Sequence, residues 1–147
     1  DVIRRYRESL GNQASLERGA KIFQRQCAVC HDLDTGAGGI APSVASFRNR
    51  GLDFILTNVL DPNREINPQY LNYSAITAAG LVATGMITAE TATSVTLASA
   101  RDKVQTLLRI DIEEIRSTGR SLMPENFDEE INEQQMADLL QFLLQAN

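Results

Sequence analysis

Cys27-Ala28-Val29-Cys30-His31 is the stretch on which the reading of this chain turns. Two thiols stand three residues apart and an imidazole follows the second at once. Residues three apart share one face of a helical turn, so both sulfurs can address one object from one side. These are the only cysteines among the 147 residues, and His31 is the only histidine. A disulfide or a thioredoxin-type redox pair is one reading of C-x-x-C, but such pairs follow a strand in a βαβ context. The residues before Cys27 read as helix. A closed zinc site is another, yet it needs four Cys or His ligands and the chain holds three such residues.

With the histidine included, C-x-x-C-H is the pattern of covalent c-type haem attachment. Each thiol adds to one vinyl group of the porphyrin, and the following imidazole projects under the iron. The sole histidine excludes bis-histidine ligation within the chain. The sixth position is left to a methionine, another side chain such as Lys103, an exogenous molecule, or nothing. A Met/His pair raises the reduction potential.

Three methionines compete. Met123 sits in Ser121-Leu122-Met123-Pro124, and a following proline holds the residue before it in extended backbone, which suits a fixed loop. Met136 lies among Ile131, Leu139, Leu140, Phe142 and Leu143, where a flexible thioether fills a core. Met86 falls in an expected strand. Met123 is the favoured ligand.

Working outward, Ser15 caps a helix that runs through Ala20 and Phe23 to the thiols, with Leu16, Gly19, Ala20 and Phe23 on one face. Gly19 costs about 1 kcal/mol of helix propensity but permits a close crossing. Thr35 to Gly39 is a Gly-rich loop, followed by Ala41-Pro42-Ser43. A helix from about Leu52 to Leu60 is closed by Asp61-Pro62-Asn63. From 70 to 112 the period changes to that of strands. Leu71 to Ala75, Leu81 to Ile87, Thr93 to Ala98 and Val104 to Ile110 supply four. Ala78-Ala79-Gly80 is a hairpin turn, and Gly85 permits a bend. Asn132 then caps a last helix ending near Gln145, whose apolar stripe of Met136, Leu139, Leu140 and Leu143 is expected to cross the Gly19/Phe23 face.

Glycine and aromatic in the first helix, C-x-x-C-H, a proline after a Gly-rich loop, a methionine loop and a terminal L-x-x-F-L helix occur in one order. The chain resembles the monohaem c-type cytochromes of the His/Met type. Asp61 to Ile66, the strand insertion and Ser121 to Pro124 are similar to the haem-binding domains at the C-terminus of large predicted membrane-bound dehydrogenases. The resemblance spans nearly the whole chain. It implies thioethers at Cys27 and Cys30, His31 as proximal ligand, Met123 as distal ligand, and the Pro42 carbonyl accepting the His31 ring N–H. Ala41 where many relatives have Gly, and Val44 where Leu is common, are mild departures. The expected fold is mainly α: a cytochrome c domain over 1–147 with a small β-rich insertion of about four strands, at 70–112, between the third helix and the methionine loop. Residues 1–13 read as a linker or N-terminal extension.

The expected function is single-electron transfer through one covalent haem c and its iron, not enzymatic catalysis: no Ser/His/Asp set or acid–base pair is present. A ligand-binding, sensing or peroxidatic haem with a displaceable sixth ligand is the alternative. The partner is a redox protein or a fused upstream dehydrogenase domain. A net charge of −5 speaks against nucleic acid, which selects basic patches. No apolar run is long enough to cross a bilayer, and neither a signal peptide nor an initiator Met is visible. A mature or excised chain located in the periplasm or otherwise exported is expected, since covalent haem attachment follows export.

Overall fold

The computed structural model describes residues 1–11, 13–34 and 38–145. Of these, 42% are helical and 28% lie in strands, with one five-stranded antiparallel sheet. This corrects the expectation of a mainly α cytochrome c fold with a small four-stranded insertion: the β component is sizeable and has a fifth strand. The chain divides into two compact units, a helical one of Asp1–Arg64 with Pro124–Asn147 and a strand-rich one of Glu65–Met123.

The helical unit contains α1 (Val2–Ser9), α2 (Leu16–Ile22), α3 (Val44–Phe47), α4 (Leu52–Leu60), α5 (Phe127–Glu130) and α6 (Glu133–Gln145). Its centre is the crossing of α2 and α6. A Cβ on Gly19 would lie 2.0 Å from the carbonyl oxygen of Asp138 and 2.8 Å from the Cβ of Phe142, so only a hydrogen fits there. One turn on, the rings of Phe23 and Phe142 meet at 5.4 Å between centroids. Ile22, Phe23, Met136, Leu139, Leu140 and Leu143 are buried around this contact.

Polar groups fix the ends of the same crossing. The Asp138 side chain is 1% exposed and accepts from the Ser15 N–H at 2.7 Å, Arg18 Nε at 2.6 Å, Arg18 Nη2 at 2.8 Å and Gln134 Nε2 at 3.1 Å. Burial works to raise its pKa, but the Arg18 guanidinium and the other donors prevail and hold the carboxyl below its ordinary value. Asn132 and Gln135 cap the start of α6 reciprocally, each side-chain oxygen accepting the other's backbone N–H at 2.9 Å. The segment 1–13 carries α1, which packs on α4 and α6. There Tyr6 is buried and donates its hydroxyl to the carbonyls of Ile131 at 2.7 Å and Asp128 at 3.2 Å.

The strand-rich unit holds β1 (Leu71–Thr77), β2 (Val82–Glu90), β3 (Ser94–Ala100), β4 (Lys103–Leu108) and β5 (Ile112–Ser121), in the order β4-β3-β2-β1-β5. Its core is Ala75, Ala83, Val95, Leu97 and Leu107, with Tyr73, Ile87, Ile112 and Ile115 against it. The fifth strand escapes a sequence reading for a physical reason. Ile76 pairs with Glu114 but Thr77 with Ile112, which leaves Glu113 as an extra residue. The bulge brings Ile112 and Ile115, three apart, to the same core and breaks the period of two on which strand recognition rests.

Candidate haem-attachment site

The attachment segment is continuous with the helix crossing. α2 widens into a π turn over Phe23–Cys27, where the Ala28 N–H donates to the Phe23 carbonyl at 2.9 Å. Such single π turns often occur at functional sites. The chain then winds about one acceptor: the Cys27 carbonyl takes the N–H groups of Cys30 at 3.1 Å and His31 at 2.9 Å. Neither cysteine is in a disulfide. Burial, with a smaller contribution from Cys30, pushes the Cys27 thiol up to about 12, so it is held protonated rather than as thiolate.

His31 is oriented through one ring nitrogen. Its Nδ1 lies 2.6 Å from the Pro42 carbonyl oxygen. A carbonyl only accepts, so Nδ1 carries the proton and Nε2 is the unprotonated nitrogen of the neutral ring. The Phe47 ring meets the imidazole edge-on, 6.0 Å between centroids at 85°. Burial pushes the imidazole pKa down, against the Pro42 bond and the Asp32 carboxylate, which raise it. A lowered pKa favours the neutral imidazole, the form that binds metal.

The chain returns to His31 along its own path. Ala41 N–H donates to Cys30 O at 3.1 Å, Val44 N–H to Asp32 O at 2.8 Å and Ala45 N–H to Leu33 O at 2.9 Å. The Gly39 N–H donates to the Asp32 carboxylate. Residues 35–37, part of the expected Gly-rich loop, lie outside the described residues.

Cys27, Cys30, His31 and Pro42 are thus gathered in the helical unit. Met123 is the last residue of the strand-rich unit; it is half-buried and its N–H donates to Ser121 Oγ at 3.1 Å. Met136 and Met86 are buried, in α6 and β2 respectively, and Lys103 is exposed at the start of β4. Sequence reasoning passed over Asp32 and Phe47. For Asp32 a signal existed, a carboxylate just before a Gly-rich run, where Asp side chains habitually bond backbone N–H groups. For Phe47 none did, because α3 is only four residues long.

Two thiols outside any disulfide, and an imidazole oriented through Nδ1 by a backbone carbonyl, are a donor set that suits a covalently held haem. Among the described residues no group of three or more His, Cys, Asp or Glu is placed to hold a metal ion. Residues 16–147 match the cytochrome c family, and the chain belongs to it. Comparison with curated proteins gives no match. The family binds haem c covalently and transfers electrons. Among the described residues no helix is long and apolar enough to cross a membrane.

Proposed function

We propose that this chain is a single-haem electron-transfer module with His31 and Met123 as axial ligands. The observation that carries the reading is the 2.6 Å contact from His31 Nδ1 to the Pro42 carbonyl, which orients the ring and makes Nε2 its unprotonated nitrogen. Bound haem supplies a one-electron couple at its iron. The protein's part is attachment, orientation and exclusion of water. Cys27 and Cys30 form the thioethers, and Pro42 holds the plane of the His31 ring and raises its basicity. Support for Met123 comes from its neighbours and rivals. It precedes a proline and is only half-buried, whereas Met86 and Met136 are each at most 5% exposed. The electron partner is a redox protein or an upstream dehydrogenase domain on the same polypeptide, and the location is periplasmic or otherwise exported. The mass of the native gene product distinguishes a fused from a separate partner.

The test is an absorption spectrum of the purified holoprotein, ferric and ferrous, with Met123→Ala alongside. A low-spin c-type spectrum with a weak far-red sulfur-to-iron band, lost in the variant, is expected. A spectrum unchanged by the substitution moves the sixth ligand elsewhere. A high-spin spectrum in the unsubstituted protein that changes on adding carbon monoxide replaces electron transfer with ligand binding.

A further inference from the structure

We infer that Asp32 is a positioning residue for the iron ligand, holding the backbone that keeps the Pro42 carbonyl on His31. The inference rests on the reading of His31 as that ligand. Asp32 follows His31 directly and is 9% exposed. Its hydrogen bonds straddle Pro42. Its carboxylate accepts the N–H of Gly39, three residues before Pro42, and its carbonyl accepts the N–H of Val44, two residues after.

Nine residues lie between Asp32 and Pro42, and a loop of that length does not hold one carbonyl oxygen 2.6 Å from a ring nitrogen by covalent connection alone. The bonds from Ala41 to Cys30 and from Ala45 to Leu33 fix the returning strand of chain, and the Asp32 side chain fixes the approach to it. A carboxylate is expensive to bury without donors, and a backbone N–H bonded to a carboxylate is among the stronger hydrogen bonds. Asp32 therefore acts on the ligand in two ways. It fixes where the Pro42 oxygen sits, and its negative charge lies beside the imidazole. Both strengthen the electron-donating character of His31 and favour the ferric iron.

The experiment follows the His31 Nδ1 proton by NMR in the holoprotein and measures the midpoint potential, in the unsubstituted protein, Asp32→Ala and Asp32→Asn. In Asp32→Ala, the Nδ1 proton and the Ala41 and Val44 amides are expected to exchange about tenfold faster, the equivalent of losing roughly one hydrogen bond, and the potential to rise. Asp32→Asn keeps an acceptor without the charge. It should restore most of the exchange protection while retaining a smaller positive shift in potential. Wild-type exchange at Nδ1 in Asp32→Ala overturns the inference. So does equal acceleration of the Leu139 and Leu140 amides, which signals general loosening. Should Asp32→Ala yield no holoprotein, the Gly39 amide of the unsubstituted protein decides, since exchange at the rate of a free loop amide removes the tether. Failure of the underlying reading looks different: the His31 ring protons then show no paramagnetic shift in the unsubstituted ferric protein.

Discussion

The helical and strand-rich units both depend on a glycine at a backbone contact, yet only one of them builds a site on it. In the helical unit Gly19 lets α2 lie on the Asp138 backbone, and the same helix runs on through its π turn into Cys27. Fold and attachment segment are one stretch of chain, so an error in the crossing is an error in where the thiols start. In the strand-rich unit Gly85 has φ +154°, and a Cβ there would lie 2.8 Å from the Ala98 backbone. That contact brings β2 against β3 and leads to no cluster of ionisable groups. The core behind it is small, Ala75, Ala83, Val95, Leu97 and Leu107, and Leu81, Val82, Val104, Leu108 and Ile110 remain exposed in the same unit. Chemistry is concentrated where helices cross, and the sheet is a structure with its own core.

The severest way to break this contrast is to remove both thiols. Cys27→Ser with Cys30→Ser is expected to abolish covalent haem completely, read as loss of haem-dependent staining on a denaturing gel. The apolar surface a haem would cover then becomes exposed in the helical unit, and amides of α2 and α6 lose hydrogen-exchange protection. Amides of β1 to β3 keep theirs, because Ala75, Val95 and Leu97 pack against protein within the sheet. Equal loss in both units would mean that the sheet depends on the haem.

Next in size is Gly19→Ala. With a carbonyl oxygen 2.0 Å from the new Cβ, the helices must separate. Overpacking of this kind costs about 3 kcal/mol, more than the roughly 1 kcal/mol of helix propensity that alanine restores. A urea titration of the holoprotein checks it, and a midpoint equal to or above wild type would show that α2 and α6 do not approach so closely.

Gly19 also illustrates what the sequence discloses and what it withholds. A glycine inside a capped, apolar-striped helix calls for a physical reason, and close crossing is the one available, so the α2–α6 contact was legible. The Asn132 cap and the helix Leu52–Leu60 were legible on the same local grounds, though not the reciprocal bond to Gln135. C-x-x-C-H was legible because the chemistry itself dictates the spacing. The extent of the sheet was not. β5 opens with Ile112-Glu113-Glu114-Ile115-Arg116, is mostly exposed, and has a bulge that removes the alternation that would have marked it. Gly85 was read as a bend, but the contact that demands it is with Ala98 on another strand, which no local pattern contains. Asp32 did leave a local signal, a carboxylate ahead of a Gly-rich run, but its partners Gly39 and Val44 lie seven and twelve residues on, where that signal does not point.

Asp138→Ala probes the polar side of the helix crossing. It removes four hydrogen bonds and leaves the Ser15 N–H without its acceptor. Arg18 is 55% exposed and rehydrates, so the loss falls below that of a wholly buried pair, about 2 kcal/mol at neutral pH. The sign of the pH dependence follows from the depressed carboxyl pKa. A group that ionises more easily when folded contributes stability above its unfolded value of about 3.9, and that contribution disappears as pH falls through the lower folded value. The gap between wild type and variant in urea stability should therefore narrow as pH falls below the unfolded carboxyl value. A gap that stays constant with pH would show that packing, not ionisation, makes Asp138 useful.

The smallest expected effect tests the bulge. If Glu113 is the extra residue, Ile115 and Arg116 point to opposite sides of β5, with Ile115 against Ala75 and Arg116 outward opposite Ser74. Ile115 is half-buried on an edge strand, so Ile115→Ala should cost about 1 kcal/mol, the low end for a large-to-small change. Arg116→Ala should stay within about 0.5 kcal/mol, as surface substitutions do, since its salt bridge to Glu114 is exposed. Without the bulge Ile112 and Ile115 would face opposite ways, and one of the two isoleucines would then be silent on truncation. Ile112→Ala and Ile115→Ala measured together therefore report the register directly. Comparable losses from both require the extra residue between Thr77 and Ile76's partners, whereas a loss from only one restores a regular two-residue strand and moves β5 off the core.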